Sequence, residues 1–363
     1  MLRPKVVVFI LNYNSSDFKS IVRKSIESAL SINHPSLDVV VIDNASSDGS
    51  FETIEDRFGK DIILIKLDRN HGYSGGNELG FRRYDDKKGS PEYAIFMHND
   101  FIITNRDFVK DLIGLLERSE DIVLAQGLNL AGDGFHVSDA GYFVDWNFSV
   151  IRRYNGMQVS ECPYKSSFIS YASGECFASK VKVIREVKGL FFEPKLFECW
   201  DESDLAFNMW SYGLKSIFIP ITVGLHHVSK SFRKVPDLTE YLQIRNRYVL
   251  RRHYLSGMIK ALSTPTFFML SLPYRPFQGF KGRIITRAFF DAYTQNIFCS
   301  SVKGLYNPLI VMPKKLSYVA YSSFVPSKLR RKILDRISNL TVTDDDLKAS
   351  LRPFTVLADF YIK

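Results

Sequence analysis

The sequence predicts an α/β fold: a mainly parallel central sheet with helices on both faces, followed by a helical C-terminal region. Three observations predict it. Short β-branched runs alternate with segments of helical periodicity through the first 127 residues, the pattern of βαβ units. Each of the first four predicted strands ends in a polar loop rich in Asn, Asp or Gly. Beyond about residue 236 the chain becomes helical, basic and aromatic.

Taken in order, "KVVVFIL" (5–11) is a β-branched run and "DFKSIVRKSIESALS" (17–31) has apolar residues at helical spacing behind Ser15 or Ser16 as N-cap. "LDVVVID" (37–43) is a second strand and "SFETIEDRF" (50–58) a helix. "DIILIKL" (61–67), "SGGNELGFRRY" (74–84) and "EYAIFMH" (92–98) read as strand, helix, strand. "RDFVKDLIGLLERS" (106–119) and "DIVLAQG" (121–127) add a helix and a fifth strand. From 130 to 172 the pattern loosens into irregular strand and loop. "SGECFASKVKVIREVKG" (173–189) is expected to be a helix after a Ser-Gly turn. "DESDLAFNMWSYG" (201–213) is a helix with acidic residues in its first turn and Gly213 as its stop, and "KSIFIP" (215–220) is a strand. Helices follow at "DLTEYLQIRNRYVLRRHYLSGMIKAL", "RIITRAFFDAYTQNIF" and "PSKLRRKILDRI".

The chain has 363 residues, 45% hydrophobic and 24% charged, which suits one large domain or two medium ones. Its four cysteines, Cys162, Cys176, Cys199 and Cys299, include no CxxC pair, so reduced thiols are expected rather than a zinc knuckle or redox pair. The apolar run Val6–Leu11 is too short for a signal peptide and has no small-residue cleavage site after it. No uninterrupted stretch approaches the ~18 apolar residues of a membrane span.

Charge is unevenly placed. Residues 231–363 hold 22 Lys/Arg against 8 Asp/Glu, a net of +14; residues 1–230 hold 26 against 31, a net of −5. The basic part is also aromatic, as in "PTFFMLSLPYRPFQGFKGR", a composition suited to an anionic membrane surface or to a solvated basic face. Nucleic acid is not expected, since no recognition motif accompanies the charge.

In open α/β sheets, ligands bind beyond the carboxyl ends of the strands, at the switch in strand order. The loops there are "NYN", "DNASSDGS", "RNHGYSGGN" and "HND". Asp43 ends a buried strand, where a carboxylate can accept from a base or ribose or can close an Asx turn. "NHGYSGGN" (70–77) is a Gly-rich entry to a helix, suited to an anion at the helix N-terminus, but it is neither a Walker loop nor GxGxxG. In "HND" (98–100) carboxylate and amide oxygens suit a hard cation bridging a diphosphate, and His98 suits Mn²⁺ better than Mg²⁺. Asp201, Glu202 and Asp204 open a helix, either as dipole partners or with one of them as general base. His226 and His227 follow a strand on the ligand side.

Together these stretches resemble family 2 glycosyltransferases with the GT-A fold, especially the rhamnosyltransferase-like branch. The residues that carry the resemblance are "LNYNS" (11–15), "VVIDNASSDGS" (40–50), "RNHGYSGGNELG" (69–80), "MHND" (97–100), "SGECF" (173–177), "WDESDLAFNMWSYG" (200–213) and "LHHVSKS" (225–231), over about residues 5–255. The resemblance implies a Rossmann-like GT-A catalytic domain at 1–235, with a nucleotide-sugar half to about 127 and an acceptor half from about 128. A basic, mostly helical region follows at 236–363. It also implies an inverting, metal-dependent transfer of a sugar from a nucleoside diphosphate to an acceptor hydroxyl, with Mn²⁺ or Mg²⁺ as cofactor.

Carried over residue by residue, Asn12, Asn14, Asp43, Asn44, Asn70, Gly72, Gly75, Gly76, Asn77 and Asn99 would line the nucleotide sugar. Asp100 would hold the metal, with His98 and His226 in reach of it. Glu202 falls at the catalytic base and Asp201 beside it. Trp200, Asp204 and Gly174 fall on the acceptor side. The sequence departs from the family pattern in three places: His98 stands where Asp or Asn is usual, the Glu-Asp pair is reversed as Asp201-Glu202, and the common Arg of "DLxxR" is Asn208. The QxxRW motif of processive synthases is missing, which implies one sugar per encounter.

The expected acceptor is a lipid-linked or cell-surface glycan. The expected location is cytoplasmic, peripheral on the inner face of the cell membrane through the C-terminal region. Two other readings stay open on the residues alone: a sugar-1-phosphate nucleotidyltransferase, and an inactive relative that binds nucleotide sugar or glycan.

Overall fold

A computed structural model describes residues 4–144, 148, 150–162, 165–227, 236–255 and 280–298. The expected helix in "PSKLRRKILDRI" lies outside them. Among the described residues the central sheet has ten strands. β1 (Val6–Asn12), β2 (Leu37–Asp43), β3 (Ile63–Lys66) and β4 (Tyr93–His98) are parallel in the order β3-β2-β1-β4. The order reverses between β1 and β4, so Asn12 and His98 end at the switch, with Leu11 paired to His98 and Asn12 to Asp43.

β5 (Phe101–Ile103), β6 (Ile122–Ala131) and β7 (Val137–Asp139) come next in the chain. β8 (Tyr142–Val144) and β9 (Val150–Arg152) pair antiparallel as a separate two-stranded sheet. The remaining strands are β10 (Ser167–Ile169), β11 (Cys176–Lys180) and β12 (Lys215–His226). β6 and β12 run parallel, and β11 lies antiparallel between β4 and β6.

The helices are α1 (Lys19–Leu30), α2 (Ser50–Phe58), α3 (Gly72–Lys88), α4 (Phe108–Arg118), α5 (Val181–Val187), α6 (Asp201–Ser211), α7 (Pro236–Tyr254) and α8 (Phe280–Thr294). Side chains alternate along β1: Val7 and Phe9 join one core with Phe81, Tyr84, Phe96 and Leu205, while Val6, Val8 and Ile10 join the other with Val22, Ile26, Leu112 and Leu116. This two-sided burial is why the strands read as continuous apolar runs. Helix α3 packs closely on the sheet because Gly76 and Gly80 lack side chains; a Cβ on Gly80 would overlap Ile42, and one on Gly76 would lie 2.7 Å from Leu11 Cδ1.

The expected helix over 173–189 is a correction. Its first part is β11, and only Val181–Val187 is helical. "CFASK" alternates across the sheet, with Phe177 in one core and Cys176 and Ala178 in the other. Hydrogen-bonded ladders on both sides outweigh local periodicity there. β12 also runs on to His226, so that histidine ends the strand instead of following it.

Helix α6 stops as expected, at Gly213 with φ +79°. Asp204, expected on the acceptor side, lies in its first turn. Its carboxylate is fully buried, bonded by Lys188 Nζ at 2.6 Å and by the Tyr254 hydroxyl at 2.6 Å. It therefore braces α6 against α7. Removing one partner strands a buried charge, so Asp204→Ala should destabilise the fold by about 3–5 kcal/mol in denaturant titration. A loss below about 1 kcal/mol, within the range of an exposed ion pair, would return Asp204 to the surface.

Candidate active site

The residues expected to line the nucleotide sugar are tied together by hydrogen bonds. Asn12, wholly buried, donates from Nδ2 to Asp43 Oδ1 at 3.0 Å and accepts from the Ser15 hydroxyl at 2.6 Å and from Asn99 Nδ2 at 3.3 Å. Asp43 also accepts from the Ser46 backbone N–H at 2.9 Å and the Ser46 hydroxyl at 2.6 Å, the Asx turn among its two sequence readings. Asn14 sits at φ +44° and accepts from the Ser47 N–H.

Asn44 ties the second loop to the third, donating to Asn70 Oδ1 at 2.9 Å and to the Gly72 carbonyl at 3.0 Å. At Gly72, φ is +71° and a Cβ would overlap the Phe197 carbonyl. Gly75 packs against His71 and Pro194, and Asn77 donates to the Tyr73 carbonyl inside α3. The glycines at 72, 75 and 76 therefore turn the side a Cβ would occupy toward protein. Their visible work is to seat the loop.

At the end of β4 the second network begins. One donor atom each from His98, Asp100 and His226 lies within 4.8 Å of the others. Register explains the meeting: His226 pairs with Phe101, next to Asp100, across the β12–β5 ladder. His226 Nε2 stands 3.2 Å from Asp100 Oδ1, and its Nδ1 stands 3.0 Å from Glu175 Oε1. Burial pushes the Asp100 carboxyl up, but His226 outweighs it and holds the group below its ordinary value. Burial likewise lowers His226, yet the two carboxylates outweigh it and raise the imidazole to about 10. His98, which lacks so close a partner, is lowered by burial. Two imidazoles and one carboxylate are a donor set that fits a divalent ion such as Mn²⁺ better than Mg²⁺.

The carboxylates at the start of α6 diverge. Asp201 is buried and accepts from the Ser74 hydroxyl, and burial with the neighbouring Glu202 charge raises it well above its ordinary value. Glu202 is raised to about 7, mainly by burial, with the Asp139 charge adding and backbone and Tyr73 donors opposing. A Cβ on Gly174 would overlap Glu202 Oε1 and lie 3.1 Å from His98 Nε2. The bare backbone at 174 thus lets the Glu202 carboxylate and the histidine of β4 approach one another. Trp200, at φ +70°, donates from Nε1 to the Gln243 carbonyl of α7, so its indole ties α6 to α7.

Sequence reasoning missed Glu175, Asp139, Tyr73 and Ser74. Glu175 lay inside "SGECF" and Tyr73 and Ser74 inside "NHGYSGGN", but pattern alone gave them no partner. Asp139, fully buried, accepts from Gln126 Nε2 at 3.0 Å and the Gly141 N–H at 2.7 Å. Burial and Glu175 raise it to about 7.

The sequence profile described as Glycosyl transferase family 2 matches residues 7–186. No curated protein matches the chain. Among solved structures, GalNAc-T7 with UDP, GalNAc and Mn²⁺ is similar at TM-score 0.54 and 13% identity, over 70% of this chain and 48% of that one. S. aureus TarS 1-349 in complex with UDP-GlcNAc is similar at TM-score 0.52 and 14% identity, over 92% and 89%. The chain thus spans about half the length of the GalNAc-T7 chain, and at these identities the likeness is one of fold. The β3-β2-β1-β4 sheet, the strand-end loops that line its switch point and the profile that spans them lead to one conclusion: residues 7–186 form a family 2 glycosyltransferase domain.

Proposed function

We propose that the protein is a glycosyltransferase that moves one sugar per encounter, with inversion, from a nucleoside diphosphate to an acceptor hydroxyl. The observation that carries this reading is the approach of Glu202 and His98 across Gly174. It sets a carboxylate with a raised proton affinity beside the candidate metal ligands. GalNAc-T7 with UDP, GalNAc and Mn²⁺ and TarS with UDP-GlcNAc support it by fold.

In this reading the Asn12–Asp43 and Asn44–Asn70 networks shape the nucleotide pocket. Asp100, His226 and His98 would hold a divalent cation, which when bound supplies positive charge for the leaving diphosphate. Glu202 takes the proton of the acceptor hydroxyl as its oxygen bonds to the anomeric carbon and the bond from that carbon to the diphosphate breaks. Inversion needs only one such base. Asp201 is the poorer choice because its carboxylate is engaged by Ser74.

Glu202→Gln is expected to keep donor binding and to lower turnover by roughly 10²–10⁴-fold, with Asp201→Asn far less affected. A base works deprotonated, so kcat/KM should rise with pH through an acid limb near 7, set by Glu202, and that limb should vanish in Glu202→Gln. An active Glu202→Gln beside a dead Asp201→Asn would reverse the assignment.

Chelation should abolish transfer, with Mn²⁺ restoring more activity than Mg²⁺. Full turnover in EDTA, or in Asp100→Ala, is the outcome that removes the metal. Release of nucleoside diphosphate from a panel of UDP, GDP and dTDP sugars tests the reaction class; pyrophosphate would mean nucleotidyl transfer.

The acceptor in this reading is a lipid-linked or cell-surface glycan reached at an anionic membrane. Helix α8 supports it by exposing Phe290 and Tyr293 on an element that carries Arg283 and Arg287. Among the described residues no helix is long and apolar enough to cross a membrane. The protein should float with phosphatidylglycerol vesicles more than with phosphatidylcholine ones, and Arg287→Glu with Phe290→Ser should reduce this. Equal recovery on both lipids removes the membrane contact.

A further inference from the structure

We propose that Glu175 is a positioning residue for the metal site, fixing which nitrogen of His226 faces the cation. The inference rests on the metal-dependent reading above. For His226 to ligate beside Asp100 it must present a lone pair at Nε2, so the ring proton must sit on Nδ1. Glu175 Oε1 stands 3.0 Å from that Nδ1, an ion-pair contact rather than an aligned hydrogen bond. A carboxylate there selects the required tautomer, orients the ring and makes the ligating nitrogen more basic.

Glu175 is built to stay in place. It is buried at 6% exposure, and the Ser138 hydroxyl donates to its Oε1 at 2.7 Å. Its backbone carbonyl accepts from the His98 N–H at 3.1 Å. The same residue therefore touches one histidine through its side chain and the other through its backbone. Its second carboxylate oxygen, Oε2, is buried with no hydrogen-bond donor. Leaving a charged oxygen unpaired in a buried site is costly, and a cation-binding cluster next to it is the compensation the geometry offers. Glu175 gains this position because β11 enters antiparallel beside β4, pairing Cys176 with Met97.

The test uses the full chain and Mn²⁺ alone, followed by the EPR signal of the free aquo ion. Glu175→Gln should weaken Mn²⁺ binding by about 10–100-fold, and Ser138→Ala by less, with melting in EDTA little changed. Mg²⁺ competition should show a smaller preference for Mn²⁺ in Glu175→Gln, because Mg²⁺ gains less from imidazole; a merely structural role would not shift that ratio. Asp100→Ala serves as the control. Weakened binding in Asp100→Ala with wild-type affinity and preference in Glu175→Gln overturns the role of Glu175 and leaves the metal site standing. Wild-type affinity in Asp100→Ala, or no saturable Mn²⁺ binding by the wild type, overturns the metal site and this inference together. If Glu175→Gln does not fold, Ser138→Ala decides, and an unchanged affinity and Mn²⁺/Mg²⁺ ratio there counts against the role.

Discussion

One imidazole between two buried carboxylates ties together the strand ends on which the site is built. Asp100 follows β4, Glu175 precedes β11, and His226 ends β12. Two carboxylates this close repel one another in a low-dielectric interior, and neither is tolerated there without positive charge or donors nearby. The His226 ring between them supplies the positive charge, and the Ser138 hydroxyl donates to Glu175. The sheet order brings the ring there: β12 pairs with β5 immediately after Asp100, while β11 pairs with β4 just before it. Shift either register by one residue and the side chains exchange faces, which would withdraw His226 or Glu175 from the cluster.

The parallel half of the fold was legible because each strand is buried on both faces and each loop carries its own turn chemistry. Val6–Asn12, Leu37–Asp43 and Tyr93–His98 read as apolar runs ending in polar residues, and Asp43 with Ser46 closes the turn that "DNAS" suggests. β11 was not legible. Its neighbours are Tyr93–Met97 and Leu124–Ala125, far away in sequence, and nothing local distinguishes "CFASK" from the first turn of the helix that follows. Glu175 was hidden for the same reason, since its role depends on strands whose pairing the sequence does not announce. The partners of Asp204 were equally hidden. Its neighbourhood in a motif suggested the acceptor, while Lys188 and Tyr254, distant in the chain, occupy its carboxylate.

The acidic start of α6 shows how one helix terminus separates three carboxylates by their partners. A helix dipole favours all three equally in kind. Ser74 engages Asp201, Lys188 neutralises Asp204, and Glu202 is left with Tyr73 and the backbone against the raising effect of burial. The proposed division of labour therefore follows from which side chains already have a strong donor. The reversal of the usual Glu-Asp order alters names along the motif, while the residue that approaches Gly174 is the one whose carboxylate has neither a hydroxyl as close as Ser74 nor an ammonium.

Placing that carboxylate requires a strained approach to the helix. Phe197, Cys199 and Trp200 all have φ near +70°, and non-glycine residues in sparsely populated regions cost about 1–3 kcal/mol each. Helix α7 holds them there. Asn246 Nδ2 lies within 3.0 Å of the carbonyls of Leu196, Glu198 and Cys199, and Arg245 donates to those of Lys195 and Leu196. Phe197, whose carbonyl accepts from the Ser74 N–H at 3.1 Å, passes the same constraint to the start of α3. The Gly-rich loop that opens α3 and the acid pair are thus referenced to one short segment. Its shape is enforced by a helix that composition alone would group with the basic C-terminal region.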